Sequence, residues 1–264
     1  MEKIFDSHAH YYDARFSREM GDVDELLSSL FSGEIGYIVN VGTDPQNSLS
    51  VVNEAKKWKG MYAAVGIHPS DGQYLADRDA ALADIEKLLC KGMGEKVVAL
   101  GEIGLDYHYE DTDRAVQGYL LEQQLCMAER LGVPVIIHDR DAHGDCFDAV
   151  CRHPSVRGVF HSYSGSAEMA RDLVRRGWHI SFSGVVTFKN ASRVREAVAA
   201  VPMDRLLIET DCPYLAPHPH RGKLNHSGYL TYTAAAIAEV KGVMREEVLR
   251  ASRENAKALF GIAE

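Results

Sequence analysis

Val97-Val98-Ala99-Leu100-Gly101-Glu102 is an unbroken apolar run that ends on a carboxylate, and Val133-Pro134-Val135-Ile136-Ile137-His138 is a second that ends on an imidazole. Short, continuous, β-branched stretches of this kind mark strands covered on both faces, as in parallel sheets. An ionisable residue that closes such a strand needs a reason, because a buried charge is stable only when paired or bound to metal. The pattern recurs along the chain. Asp6-Ser7-His8-Ala9-His10 closes the first run, His161 follows Val159-Phe160, and Asp211 follows Leu206-Leu207-Ile208-Glu209-Thr210.

Working outward, the strand candidates are Lys3–Ser7, Gly36–Val41, Met61–Ile67, Val97–Ile103, Pro134–His138, Gly158–His161, His179–Phe182 and Arg205–Glu209. Helical patterns separate them. Thr43-Asp44-Pro45 offers a cap with proline at the first helical position. In Asp113–Leu131, the residues Val116, Leu120, Met127 and Leu131 share one face, and Gly132 and Pro134 stop the helix. Ser166 and Asn190 are candidate caps for later helices. Strands that alternate with helices from end to end predict an α/β chain, a (β/α)8 TIM barrel, as a single domain over residues 1–264. A doubly wound open sheet would call for a glycine-rich phosphate loop after an early strand, and neither GxGxxG nor GxxxxGK[ST] occurs.

The formal net charge of −9 provides no global basic field for gripping nucleic acid, which argues against a DNA-binding module. A nuclease remains open, since bound divalent ions can supply the local positive potential a phosphodiester requires. The five cysteines (Cys90, Cys126, Cys146, Cys151, Cys212) are odd in number and lack CxxC spacing, which points to a reducing compartment. Cys212 reads as a small strand-end residue rather than a soft ligand. No signal peptide and no membrane-length apolar stretch is seen, so a cytoplasmic location and no membrane partner are expected. Nothing points to an obligate protein partner.

In a barrel, all strand C-termini converge on one face, which turns the scattered ionisable residues into one constellation. His8 and His10 lie two apart on a strand and point the same way. Glu102 stands in an apolar setting, where its two oxygens could bridge two ions; a salt bridge to a barrel lysine or arginine is the alternative. Asp211 can bind a metal and also accept the proton of a metal-activated water. Glu209 has the same parity but lies deeper, which suits it to holding a ligand from behind. His68, in Gly66-Ile67-His68-Pro69, ends the third strand and is a candidate substrate contact. Arg221-Gly222-Lys223, in the long Cys212–Ser227 loop, suits phosphate binding. Arg140, Lys189, Tyr163 and Tyr107–Tyr109 are further candidates for the mouth.

These segments in this order resemble the TatD family of metal-dependent deoxyribonucleases, within the amidohydrolase-like TIM-barrel superfamily. The matching stretches are Asp6–His10, Gly66–Pro69, Gly101–Tyr107, Val135–His138, Phe160–Gly165, Ile208–Pro217 and Arg221–Lys223, with Glu254-Asn255-Ala256 near the end. The resemblance implies a site for two divalent ions, zinc, magnesium or manganese. His8, His10, Glu102 and Asp211 would hold one; Glu102, His138 and His161 would hold the other, with Glu102 bridging. Glu102 and Asp211 are the implied catalytic residues, and His68, Arg221 and Lys223 the implied contacts to substrate phosphate. The implied reaction is 3′–5′ exonuclease-like cleavage of DNA by a metal-bridging water, with RNA or a small phosphate ester as alternative substrates. One departure stands out: the family loop commonly continues Arg-Gly-Lys-Arg-Asn, whereas this chain reads Arg221-Gly222-Lys223-Leu224-Asn225. The lost arginine, together with the acidic charge, favours a second reading, hydrolysis of small esters, amides or lactones on the same barrel. A non-catalytic binding protein on a retired barrel is a third, opposed by the intact ligand set.

Overall fold

The computed structural model describes residues 3–263. Its strands are β1 (Ile4–Ala9), β2 (Ile35–Val41), β3 (Met61–Val65), β4 (Val97–Asp106), β5 (Val135–Arg140), β6 (Gly158–Phe160), β7 (His179–Phe182) and β8 (Leu206–Ile208). They form one sheet whose spatial order is the chain order. Ala9 pairs in parallel with Cys212, just past β8, so the last strand returns to the first. This is the strand order of a (β/α)8 barrel, as the sequence predicts.

Helices α1 (Ala14–Glu19) and α2 (Val23–Ser32) follow β1, and α3 (Pro45–Lys57) follows β2. Then come α4 (Pro69–Gly72) and α5 (Arg78–Leu89) after β3, α6 (Arg114–Leu131) after β4, and α7 (His143–Arg152) after β5. Next are α8 (Ala167–Arg175) after β6, α9 (Ser192–Ala200) after β7, and α10 (Leu230–Lys241) and α11 (Arg245–Phe260) after β8. Among the described residues no helix is long and apolar enough to cross a membrane.

The chain groups into two compact units. One comprises the chain up to Asn40, His161–Arg175 and the chain from His179 onward; it contains β1, β7, β8 and most of β2. Its core includes Phe5, stacked on Tyr37 at 5.3 Å and facing Phe260 at 6.3 Å between ring centroids. The other comprises Val41–Phe160 and Arg176–Trp178 and contains β3 to β6. There Ala63, Ala64, Val65, Leu100, Ile103 and Ile136 of the strands are buried, as are Ile85 of α5 and Leu120, Leu121 and Leu125 of α6.

Several punctuation signals act as read. Asp44 caps α3 by accepting from the Asn47 amide at 2.7 Å, and Ser166 Oγ accepts from the Met169 amide at 3.1 Å at the start of α8. Gly132 ends α6 in the left-handed conformation at φ 65°. Two expectations need correction. Asn190 does not cap α9; the cap position is Ala191, which has no side-chain acceptor. The buried face of α6 is also wider than the apolar stripe: it keeps Leu120 and Met127, adds Gln117, Leu121, Gln124 and Leu125, and leaves Val116 and Leu131 half-buried. Buried glutamines add nothing to an apolar period.

β4 outruns its expected end. It continues past Ile103 to Asp106 with every residue buried, while β5 continues to Arg140. Pairing aligns Gly104 with His138 and Asp106 with Arg140. A Cβ at Gly104 would collide with the His138 carbonyl, and φ there is 151°, a value side chains rarely adopt. Gly104→Ala is therefore expected to cost about 3 kcal/mol in chemical denaturation and to disturb the His138 side of the sheet. A stability equal to wild type would show that β4 and β5 can separate without penalty.

Candidate metal centre

In the first unit, parallel pairing sets the geometry. The His10 amide donates to the Cys212 carbonyl at 2.8 Å and the Asp211 amide to the His8 carbonyl at 2.9 Å, so the segment after β8 runs beside the end of β1. Both imidazoles are buried, and their Nε2 atoms lie 3.0 Å apart. Asp211 Oδ1 approaches them, 3.3 Å from His10 Nε2 and 3.8 Å from His8 Nε2. Asp211 sits at φ 56°, a left-handed conformation that aspartate tolerates better than bulkier residues. Burial alone would raise its carboxyl. The hydrogen bond with His10 and the charges of His161, His8 and His10 outweigh burial and hold it below the ordinary carboxylate range.

His161 joins this group by stacking on His8, 4.2 Å between ring centroids. It directly follows β6, and its Nδ1 lies 3.1 Å from Glu209 Oε1. That oxygen also accepts the Ser162 amide at 2.7 Å, so Glu209 holds the imidazole from behind, the role its parity indicates. The other oxygen of Glu209 is buried and has no hydrogen-bond partner among the described residues.

Beneath these residues lies Asp6, fully buried. Its oxygens accept from the Thr210 amide at 3.0 Å, the Thr210 hydroxyl at 2.6 Å and the Ser227 hydroxyl at 2.7 Å. Burial raises its carboxyl to about 6 despite these donors. Burial likewise raises the Cys212 thiol, which disfavours the thiolate a metal would need.

In the second unit, Glu102 and His138 form the centre. Glu102 Oε1 lies 2.6 Å from His138 Nδ1 and 3.6 Å from His68 Nε2. The far nitrogen of His138 faces Asp106 Oδ2 at 3.3 Å. His138 is thus held between two buried carboxylates. Burial would raise Asp106, but the hydrogen bonds from His138 and the His108 amide and the charges of His138 and Arg140 bring it down to about 2. Asp106 had no role in the sequence reading. The available signal was parity, since Glu102, Gly104 and Asp106 alternate on one face once the strand is known to continue.

Two buried glutamines of α6 set these positions. Gln117 accepts from the Asp106 amide at 2.8 Å and donates to its carbonyl at 3.1 Å. Gln124 does the same for Ile67, the residue before His68, at 2.8 and 3.1 Å. Each clamp satisfies both backbone groups at a strand end, where the ladder no longer does. Gln117→Met is expected to lose about 1–3 kcal/mol of stability and to weaken divalent-ion binding in this unit. Equilibrium denaturation and ion titration of the same variant would check both.

The donor sets fit divalent ions. An ion held by imidazole and carboxylate at about 2.0–2.2 Å in a tetrahedral shell places its ligand atoms about 3.3 Å apart. The separations among His8, His10 and Asp211, 3.0, 3.3 and 3.8 Å, bracket that value. His68, Glu102 and His138 form a second grouping of suitable reach. His68, expected to contact substrate, lies among these donors. A third grouping, Glu122, Cys126 and His153, belongs to an ion network in which Arg152 also engages Glu122 and His153 is shared with Glu129.

Arg221 and Lys223 are exposed on their loop. The Arg221 guanidinium lies 4.5 Å from the Phe188 ring centroid, away from the candidate metal-binding side chains. The loop is anchored instead by Asn225, which donates to the Thr210 and Tyr214 carbonyls at 2.9 and 2.7 Å. His226 follows, its Nδ1 accepting from the Gly228 amide at 3.2 Å and its ring packed on Tyr229 at 4.0 Å. Burial, reinforced by His220, lowers His226 from 6.5 to about 4. The folded chain therefore keeps this imidazole neutral while the unfolded chain protonates near 6.5. Its contribution is complete above that pH and is lost as the pH falls towards 4, on the order of 2 kcal/mol. The difference in stability between wild type and His226→Gln, followed by denaturation between pH 7 and 4, should show this slope, because the raised Asp6 carboxyl adds an opposite one to both proteins.

Residues 5–261 match the family described as "TatD related DNase". A Bacillus subtilis relative named "Uncharacterized metal-dependent hydrolase YabD" is 39 % identical over 98 % of this chain and 99 % of its own. An Escherichia coli relative, "Uncharacterized metal-dependent hydrolase YcfH", is 36 % identical over 98 % of this chain and 96 % of its own. The crystal structure of the TatD homologue YjjV from Escherichia coli superposes with a TM-score of 0.88 at 30 % identity, covering 98 % of both chains. The family match over residues 5–261 and the likeness along nearly the whole length agree: the chain belongs to the TatD-related family of metal-dependent hydrolases.

Proposed function

We propose that this metal-dependent hydrolase cleaves phosphodiester bonds at nucleic-acid ends, as a 3′–5′ exonuclease acting first on DNA. The observation that supports it is the pair of imidazole–carboxylate groupings, His8/His10/Asp211 and His68/Glu102/His138, each with the reach of a divalent-ion site. One zinc, magnesium or manganese ion at each is the stoichiometry of this reading. When bound, such ions supply Lewis-acid charge that favours ionised water and stabilises phosphoryl oxygens. That Glu102 serves both ions, and that His161 is a ligand, rests on the family resemblance.

The protein's own groups have distinct duties. Asp211 is kept ionised by three imidazoles, so it can accept a proton beside the reacting phosphate. Glu209 fixes the orientation of His161, and Asp106 that of His138. RNA or a small phosphate ester would be accepted by the same chemistry. A cytoplasmic location, with no membrane or obligate protein partner, belongs to the same reading.

Asp211→Asn or Glu102→Gln is expected to reduce metal-dependent nucleotide release from single-stranded DNA to the level of metal-free protein, with the thermal midpoint retained. Turnover near wild type in either variant would overturn the mechanism. Leu224 and the net charge of −9 favour the second reading, hydrolysis of small esters, amides or lactones. An end-labelled oligonucleotide assayed against a panel of such esters separates the two. Phosphate recognition should also appear as a steep loss of oligonucleotide activity with added salt.

A further inference from the structure

Arg140 ends β5 two residues beyond His138, and its guanidinium approaches Asp106, the acid that faces His138. Asp106 Oδ2, which faces His138 Nε2 at 3.3 Å, is 4.0 Å from Arg140 Nη1. The same Nη1 donates to the Tyr109 hydroxyl at 3.4 Å, and the guanidinium carbon lies 5.4 Å from the Tyr109 ring centroid. These long contacts leave most of its five N–H donors without a protein acceptor among the described residues. Arg130 makes the contrast: both its terminal nitrogens are engaged by Glu86, at 2.8 and 2.9 Å.

Tyr109 is 53 % exposed, a large aromatic surface open to solvent near an ion site. It is braced edge-on by His108, 5.1 Å between centroids, and His108 is in turn paired with Asp141 at 3.1 Å. Two of the nearby acids are paired, Asp141 with His108 and Asp106 with His138, while Glu110 and Asp111 follow Tyr109 along the exposed loop. A planar cation beside an exposed ring suits a ligand that carries an anion next to a flat ring. In a chain of net charge −9, a local cation of this kind has to replace long-range attraction. Arg221, by contrast, rests on Phe188, and Leu224 stands where the family loop commonly has a second arginine.

We propose that Arg140 and Tyr109 form a nucleotide subsite, Arg140 binding a non-scissile phosphate of the strand and Tyr109 stacking on the attached base. The subsite rests on the phosphodiesterase reading and deepens it by assigning the contacts that select a nucleic-acid strand over a simple ester.

The test is calorimetric binding to metal-loaded protein, with phenyl phosphate, inorganic phosphate and oligothymidylate as probes. Arg140→Ala should weaken all three, phenyl phosphate and oligothymidylate by about tenfold, and Arg140→Lys should recover only part of the loss. It should also reduce the slope of log affinity for oligothymidylate against log salt by about 0.7. Tyr109→Ala should weaken phenyl phosphate and oligothymidylate by about tenfold and leave inorganic phosphate unchanged, while Tyr109→Phe restores binding. Thermal midpoints verify that each variant is folded. Arg140→Ala with wild-type affinity and salt slope, wild-type protein that binds none of the probes, or Tyr109→Ala that loses inorganic phosphate equally would each overturn the subsite. Binding as expected in a wild-type protein that releases no nucleotide with any divalent ion would instead overturn the phosphodiesterase reading and leave the anion–aryl subsite standing.

Discussion

Asp6, fully buried in β1, is the group on which the first ligand cluster depends. A carboxylate at such depth is tolerable only when its oxygens are occupied, and Thr210 and Ser227 occupy them. Those bonds tie the start of the chain to the segment after β8 and to the end of its longest loop. With Asp6 holding Thr210, Asp211 is carried next to His8 and His10, and the Asp211 and His10 amides complete the pairing between the two segments. The His8, His10 and Asp211 side chains are brought to roughly ion-binding separation by Asp6, Thr210 and Ser227.

The second unit solves the same problem differently. Its candidate metal-binding residues sit on β4, β5 and the residues after β3, and two glutamines of α6 satisfy the backbone where the strands end. A helix that would otherwise present only apolar side chains thus fixes where Asp106 and His68 emerge. Gly104 allows β4 to pass close against the His138 carbonyl. His138 then lies between Glu102 and Asp106, with one ring nitrogen facing each acid.

The elements most plainly readable in the sequence were those with a local cause. Apolar runs marked the strands to within a few residues, and Asp44, Ser166 and Gly132 marked helix ends, because burial and capping act over a single turn. Features that depend on a distant partner left no such local mark. β4 and β5 run on through charged residues because each supplies the other's backbone partners, as where the Tyr107 amide donates to the Arg140 carbonyl at 2.9 Å. Asn190 carried a cap-like side chain that the chain path did not use. Gln117 and Gln124 looked like interruptions of an apolar face, and their purpose exists only once strand ends lie beneath them.

The sequence by itself determined the alternation of strands and helices, the family, and which histidines and carboxylates close buried strands. These follow from residue type and spacing, which act locally. Only the tertiary structure decided how those residues are grouped and held: His161 against His8 and Glu209, Asp106 behind His138, Asp6 as a tie rather than a ligand, and Arg140 beside Tyr109. The reason is one of range. A hydrogen bond or a coordination shell is made over about 3 Å in space between residues far apart in the chain, and no local pattern records which strand end will supply the partner.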